Sequence, residues 1–303
     1  MIGGDAFAWW AYRGGAAVAR ALPEPLTGPA EVVFGTGLAV AARRRRQTVS
    51  RHVERLEGRS LPPGELRRQV RRTFRSYARY WIESFRLPTL SAAELDAGLS
   101  YQGIEHFDAA MAGGRGVIMA LPHLGGWDYG GTWMATQGYP VTVVVEPIRP
   151  PELFEWFAAM RRGLGLEVVP LGPHAARRVI GALRRNEVVG LLCDRDLTGD
   201  GVEVEFFGER TTLPGGPATL ALRTGAPILP TAIYFDGPRH HLGVVRPALP
   251  VGRVGSFRDD VVHVTQHLAR ELEHLIRRAP EQWHVLQPNW PSERGRAPAR
   301  RRR

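Results

Sequence analysis

From about Gly114 the chain breaks into short, continuous apolar runs: "GVIMAL" (116–121), "VTVVV" (141–145), "EVVPL" (167–171) and "VVGLLC" (188–193). Strands that face water on one side alternate polar and apolar residues. Uninterrupted runs about twenty residues apart instead fit strands covered on both faces and joined by helices, so a mostly parallel sheet is expected. The later runs "VEVEFF", "PILPTAIY" and "HLGVVRP" lie closer together and suggest antiparallel additions. A helix, "DDVVHVTQHLARELEHLIRR", and the segment "QWHVLQPNW" follow. Ahead of this region the pattern is helical. Phe7, Trp10, Ala11, Val18 and Leu22 recur at helical spacing up to "PEP", and Phe74, Tyr77, Ala78, Trp81 and Phe85 form one stripe. Arg71, Arg72, Arg75 and Arg79 lie largely off that stripe, which fits a core helix with a solvated basic face or a basic aromatic helix on an anionic membrane. The expected fold is α/β: a central, mostly parallel mixed sheet flanked by helices, with a helical N-terminal layer. It forms one domain over 1–291, divided into the helical layer at 1–95 and the α/β core at 96–291. The basic tail at 292–303 lacks large apolar residues and is expected to be disordered.

Composition narrows the chemistry. With 44% apolar residues among 303 the chain is globular, and its single cysteine, Cys193, excludes an internal disulfide or a cysteine-based zinc site. A reducing compartment is expected. The net charge of +10 comes from arginine alone, since the chain has no lysine. The guanidinium fork suits phosphate, which directs attention to nucleic acid, anionic headgroups or a phosphorylated cosubstrate. The N-terminus has an acidic residue where a signal peptide would be basic, and "EVVFGTGLAVAA" is too short to span a bilayer. A protein that is soluble or lies on a membrane surface is expected.

The candidate chemistry centres on "LPHLGGWDYGG". In open α/β sheets ligands gather at the carboxyl ends of the strands. His123, Glu146 and Asp194 each follow an expected strand. A helix starting near Gly125 or Gly126 would place Asp128 in its first turn. From there its carboxylate could fix one imidazole nitrogen of His123 and leave the other free to take a proton from a hydroxyl. Competing sites are weaker: His263, His267 and His274 fall on the polar face of their helix, and His240 and His241 have no carboxylate cluster near them in sequence. No nucleophile elbow, P-loop or dinucleotide fingerprint occurs.

The stretches "LPHLGGWD", "VVVEPIRPPELFEWFAAMRRGLGLEVVPL", "CDRDLTGDGVEVEFFGERTTLPGGPATLALRTGAPILP" and "QWHVLQPNW" resemble the phosphatidylinositol mannoside acyltransferases. These belong to the lysophospholipid acyltransferase group that also contains the lipid A late acyltransferases. The similarity extends to "WAYRGGAAVARALPE" and "SYARYWIESFRLP" and covers nearly the whole chain. The resemblance implies a glycerolipid-acyltransferase-like fold and transfer of an acyl chain, typically palmitoyl, from acyl-CoA to the 6-hydroxyl of a mannose. It implies His123 as general base and Asp128 as its orienting carboxylate, with Asp194 catalytic and Glu146, Arg161 and Arg195 binding substrate. No metal or cofactor beyond acyl-CoA as cosubstrate is implied. The implied partners are the acyl-CoA donor, the glycolipid acceptor and the anionic cytoplasmic face of the plasma membrane, where the protein would be peripheral; nucleic acid is not expected. Asp194 stands where the resemblance places glutamate, so the carboxylate is shorter by one methylene. Another glycolipid or lysophospholipid acceptor, or an acyl-CoA thioesterase, remains open as an alternative.

Overall fold

A computed structural model describes residues 2–293, and of residues 2–8 the backbone alone. The N-terminal layer contains α1 (Ile2–Ala21), α2 (Thr27–Ala41), α3 (Arg43–Glu57), α4 (Pro63–Arg86) and the short α5 (Ala92–Ala97). The core continues through β1 (Leu99–Gln102), α6 (Ile104–Ala112), β2 (Val117–Leu121), α7 (Trp127–Thr136), β3 (Val141–Val145), α8 (Pro151–Gly163), β4 (Leu166–Pro170) and α9 (Ala175–Arg184). Then come β5 (Val188–Leu192), β6 (Val202–Phe206), β7 (Glu209–Leu213), α10 (Gly216–Thr224), β8 (Ile228–Phe235), β9 (His241–Val245) and α11 (Phe257–Arg278).

Seven strands form one sheet in the order β1-β9-β8-β2-β5-β3-β4. The four apolar runs are its centre and one wing, all parallel. All three later runs make antiparallel pairs, as expected, β6 with β7 and β8 with β9. Two details differ: β6 and β7 form a separate two-stranded ribbon and do not extend the main sheet, and β8 also pairs parallel with β2, because α10 returns the chain across the sheet. β1 then adds parallel to β9. β1 escaped the sequence pattern because "LSYQ" buries one residue in four.

The two sheet faces carry separate cores. Val117 and Met119 of β2 point to the side covered by α6 and α7, packing with Phe107 and Met134. Ile118 and Ala120 point to the side of α9, α10 and α11. The α4 stripe is a core face: Phe74 and Phe85 are buried, and Trp81 packs on Tyr12 and Phe157. The inward face of α1 is Trp9, Tyr12, Ala16 and Ala19, while Trp10 and Val18 of the expected stripe are exposed and the side chain of Phe7 lies outside the described residues. Of the tail expected to begin at Ser292, that residue and Glu293 are anchored, by Glu209 and by His52; the remainder lies outside the described residues.

Candidate active site

Register builds the site. β2 and β5 are parallel neighbours with Leu121 opposite Leu192, so the residues two beyond each strand end, His123 and Asp194, meet across one gap. Asp194 Oδ1 lies 2.6 Å from His123 Nδ1, and its Oδ2 accepts the His123 backbone N–H at 2.8 Å. Two groups from the C-terminal segment complete the cage: the Trp283 indole N–H donates to Asp194 Oδ2 at 2.6 Å, and Asn289 Nδ2 donates to the Asp194 carbonyl at 2.9 Å. Burial alone would raise the Asp194 carboxyl, but the His123 ring and these hydrogen bonds outweigh it and hold the group below the usual carboxylate range. Asp194 is therefore an acceptor that fixes the proton of His123 on Nδ1 and turns Nε2 toward the cleft.

Asp128 does not orient His123. It sits in the first turn of α7, as its position after Gly126 implied, but Arg161 of α8 grips both its oxygens, Nε to Oδ1 at 2.9 Å and Nη2 to Oδ2 at 3.0 Å. The Tyr80 hydroxyl donates to Oδ2 at 2.8 Å. Spacing in sequence suggested the wrong partner because the helix start directs Asp128 away from the imidazole, toward α4 and α8. Burial lowers the affinity of Arg161 for its proton, but the Asp128 charge outweighs it and the guanidinium stays charged. Burial and the Asp128 charge push the Tyr80 phenol well up. This triad fastens three helices at the floor of the site and leaves Arg161 committed to Asp128. Glu146, one residue past β3, pairs with Arg195 at 3.2 Å at the rim, and Arg195 also reaches Gln287 at 3.3 Å.

Three groups near His123 were missed from sequence. His284 is buried, its backbone N–H donates to the His123 carbonyl at 2.7 Å, and its Nε2 lies 2.9 Å from Ser76 Oγ. Burial and the nearby His123 push it down to about 3, so it stays neutral. Trp283 and Asn289 are the other two. All three lie in "QWHVLQPNW", where hydrogen-bonding side chains in an apolar terminal stretch were the available signal. His241 has the carboxylate that sequence did not show: its Nε2 lies 2.9 Å from Glu83. Among the described residues no cluster of three or more histidine, cysteine or acidic residues could hold a metal. Cys193 is buried, and burial pushes its thiol up, so it is no nucleophile.

A cavity of about 670 Å³ opens at His123, Asp128 and Arg161. Its lining includes Met119, Met134, Val188, Phe107 and Ile104 from the α6–α7 side of the sheet. It also includes Ala176 and Ile180 of α9 and Leu220 and Arg223 of α10. An apolar channel ending at an imidazole whose Nε2 has no protein partner among the described residues can seat a long chain with its polar end at a base.

The sequence model for bacterial lipid A biosynthesis acyltransferases matches residues 5–292. A phosphatidylinositol mannoside acyltransferase of Mycolicibacterium smegmatis is 38% identical over 284 residues, 92% of this chain and 90% of the relative. Its namesake from Mycobacterium tuberculosis is 40% identical over 290 residues, 93% of this chain and 88% of the relative. A lipid A biosynthesis acyltransferase of Haemophilus influenzae is 27% identical over 197 residues, 64% of this chain and 59% of the relative.

Proposed function

The chain belongs to the bacterial lipid A biosynthesis acyltransferase family, and from that premise we propose that it moves a palmitoyl chain from acyl-CoA to the 6-hydroxyl of a mannose in a phosphatidylinositol mannoside. The observation that carries this reading is the His123–Asp194 pair at the mouth of an apolar channel. A thioester is already activated, so the protein must position a hydroxyl, take its proton and stabilise an oxyanion. His123 Nε2 accepts the hydroxyl proton as the oxygen attacks the thioester carbonyl, while Asp194 stabilises the imidazolium that forms. The tetrahedral intermediate collapses with cleavage of the carbon–sulfur bond. The departing CoA thiolate takes the proton back from Nε2. The N-terminal turn of α7 starts four residues after His123, and its dipole favours the charge on the transient oxyanion.

The apolar lining on the α6–α7 side takes the acyl chain. With Arg161 occupied by Asp128, the donor's phosphates fall to Arg223 of α10, and the acceptor headgroup to Glu146 and Arg195 at the rim. The surface that meets the membrane is α2 rather than the aromatic stripe of α4. Val33 (74% exposed), Val40 (69%) and Phe34 (49%) form an uncovered apolar ridge beside Arg67, Arg68, Arg71 and Arg72. No helix among the described residues is long and apolar enough to cross a membrane, so this ridge docks the protein peripherally on anionic lipid of the cytoplasmic face.

The test is CoA release from palmitoyl-CoA with and without a phosphatidylinositol dimannoside. Release that rises with acceptor and disappears in His123→Ala supports transfer. Equal release with and without acceptor points to a thioesterase or to another glycolipid or lysophospholipid acceptor, and contradicts the reading.

A further inference from the structure

Asp194 is held by a strap that lacks regular secondary structure. Residues 284–293 follow the isolated bridge at Trp283 with coil and turns alone, yet Trp283 and Asn289 supply two of the groups that cage Asp194. An irregular segment cannot fix two side chains without anchors of its own. Trp290 Nε1 donates to the Phe206 carbonyl, and Thr211 Oγ1 donates to the Asn289 carbonyl. The anchor that reaches both ends of the strap comes from the N-terminal layer. His52 of α3 places Nδ1 3.0 Å from the Val285 carbonyl and Nε2 3.0 Å from Glu293 Oε2. That same Glu293 oxygen accepts the Asn289 backbone N–H at 2.9 Å. The His52 ring lies 5.2 Å from both Trp283 and Trp290. His52 is 2% and Glu293 6% exposed, so water does not replace these bonds when they break.

We propose that His52, with Glu293, is a positioning residue. By clamping the strap at Val285 and at Glu293 it keeps Trp283 and Asn289 on Asp194, and through Asp194 it keeps the His123 proton on Nδ1. Both ring nitrogens of His52 face acceptors, a carbonyl at one end and a carboxylate at the other. Glutamine, with its single amide group, cannot span both acceptors as the ring does. The clamp thus links α3 to the acyl-transfer chemistry proposed above, and only the activity arm of its test rests on that reading.

The experiment compares ¹⁵N-histidine-labelled full-length wild type with His52→Gln, Glu293→Gln and Val70→Ala. The last is a buried truncation in the same layer, outside the strap's hydrogen bonds, and serves as the control for lost stability. In His52→Gln the His123 ¹⁵N signals are expected to move from a fixed Nδ1–H tautomer to a mixture, and kcat to fall between about tenfold and a hundredfold, the scale of a small misplacement of a reacting group. KM for the acyl donor stays within about threefold, because its binding surfaces are untouched. Val70→Ala lowers the melting temperature and changes neither reading. If His52→Gln does not fold, Glu293→Gln, which keeps an acceptor for the Asn289 N–H, is read in the same way. Variants of the pair that lose only melting temperature, with the tautomer and kcat of wild type, overturn the proposal. So does a fall in kcat with the tautomer unchanged. If wild type itself transfers no acyl chain, the functional reading fails, and the tautomer comparison still decides the positioning role.

Discussion

Asp194 and Asp128 are both buried aspartates at one edge of one sheet, and their neighbours give them different tasks. Asp194 faces the His123 imidazole, the base of the proposed reaction; Asp128 faces the Arg161 guanidinium, a permanent charge. Asp194→Asn should keep the packing of the cage but lose the acceptor that fixes the Nδ1 proton. We expect kcat to fall by about 10²- to 10⁴-fold, the range over which proton transfer and its orienting carboxylate contribute, as steady-state transfer assays would show. Arg161→Ala should act mainly on stability. It leaves Asp128 buried with only Tyr80 as donor, and denaturant titration should show a loss of about 3–5 kcal/mol. His123 and Asp194 were visible in the sequence as polar residues following strands, and Asp128 as a carboxylate in the first turn of a helix. Their pairing was not, because it depends on β2 and β5 being neighbours in register, and chain order does not carry strand order. Arg161, expected at substrate, proved to be the partner of Asp128 for the same reason.

At the scale of elements, continuous apolar runs located β2, β3, β4 and β5, because strands buried on both faces leave that mark. The same rule failed for β1, which is almost all exposed, and short separation, which pointed to antiparallel additions, gave the β8–β9 pair but not the parallel pairing of β8 with β2 that the α10 crossover makes. Two adjacent glycines of α7 differ in the room around them. Gly130 lies against Ile233, where any Cβ would come within 2.6 Å, whereas a Cβ on Gly131 would meet Leu166 at 3.7 Å and has room to extend. Gly131 lines the channel, so Gly131→Leu should narrow it without breaking the helix. Competition assays should then show kcat/KM for palmitoyl-CoA falling at least about tenfold relative to octanoyl-CoA, the effect of filling part of an apolar pocket. An equal loss for both donors would place the chain elsewhere.

The whole molecule joins a basic, apolar-ridged helical layer to the His123–Asp194 pair, and each part has its own signature. Phe34→Asp together with Val33→Asp should weaken flotation with anionic vesicles while leaving the melting temperature nearly unchanged, since both side chains are exposed. Flotation indifferent to these changes and to salt would remove the ridge from the account. Acid should unfold the protein early. His284 takes a proton in the unfolded chain near its ordinary 6.5 but in the fold only at about 3, so the stability it contributes is complete above 6.5 and drains away as pH falls toward 3. Asp194, held below its ordinary range, adds a loss of the same sign at lower pH. Urea midpoints should fall steadily from pH 6.5 to 4, and His284→Leu should flatten that slope.

The central claim is that His123, oriented by Asp194, takes the proton from a sugar hydroxyl. Its most direct test is transfer of a radiolabelled palmitoyl chain from CoA to phosphatidylinositol dimannoside by wild type, His123→Ala, Asp194→Asn and Asp128→Asn, each confirmed folded at the assay temperature. The account predicts a labelled acyl-mannoside from wild type, none from His123→Ala, and a far greater loss of rate for Asp194→Asn than for folded Asp128→Asn. Full transfer by His123→Ala, or a greater loss for Asp128→Asn than for Asp194→Asn, would contradict it.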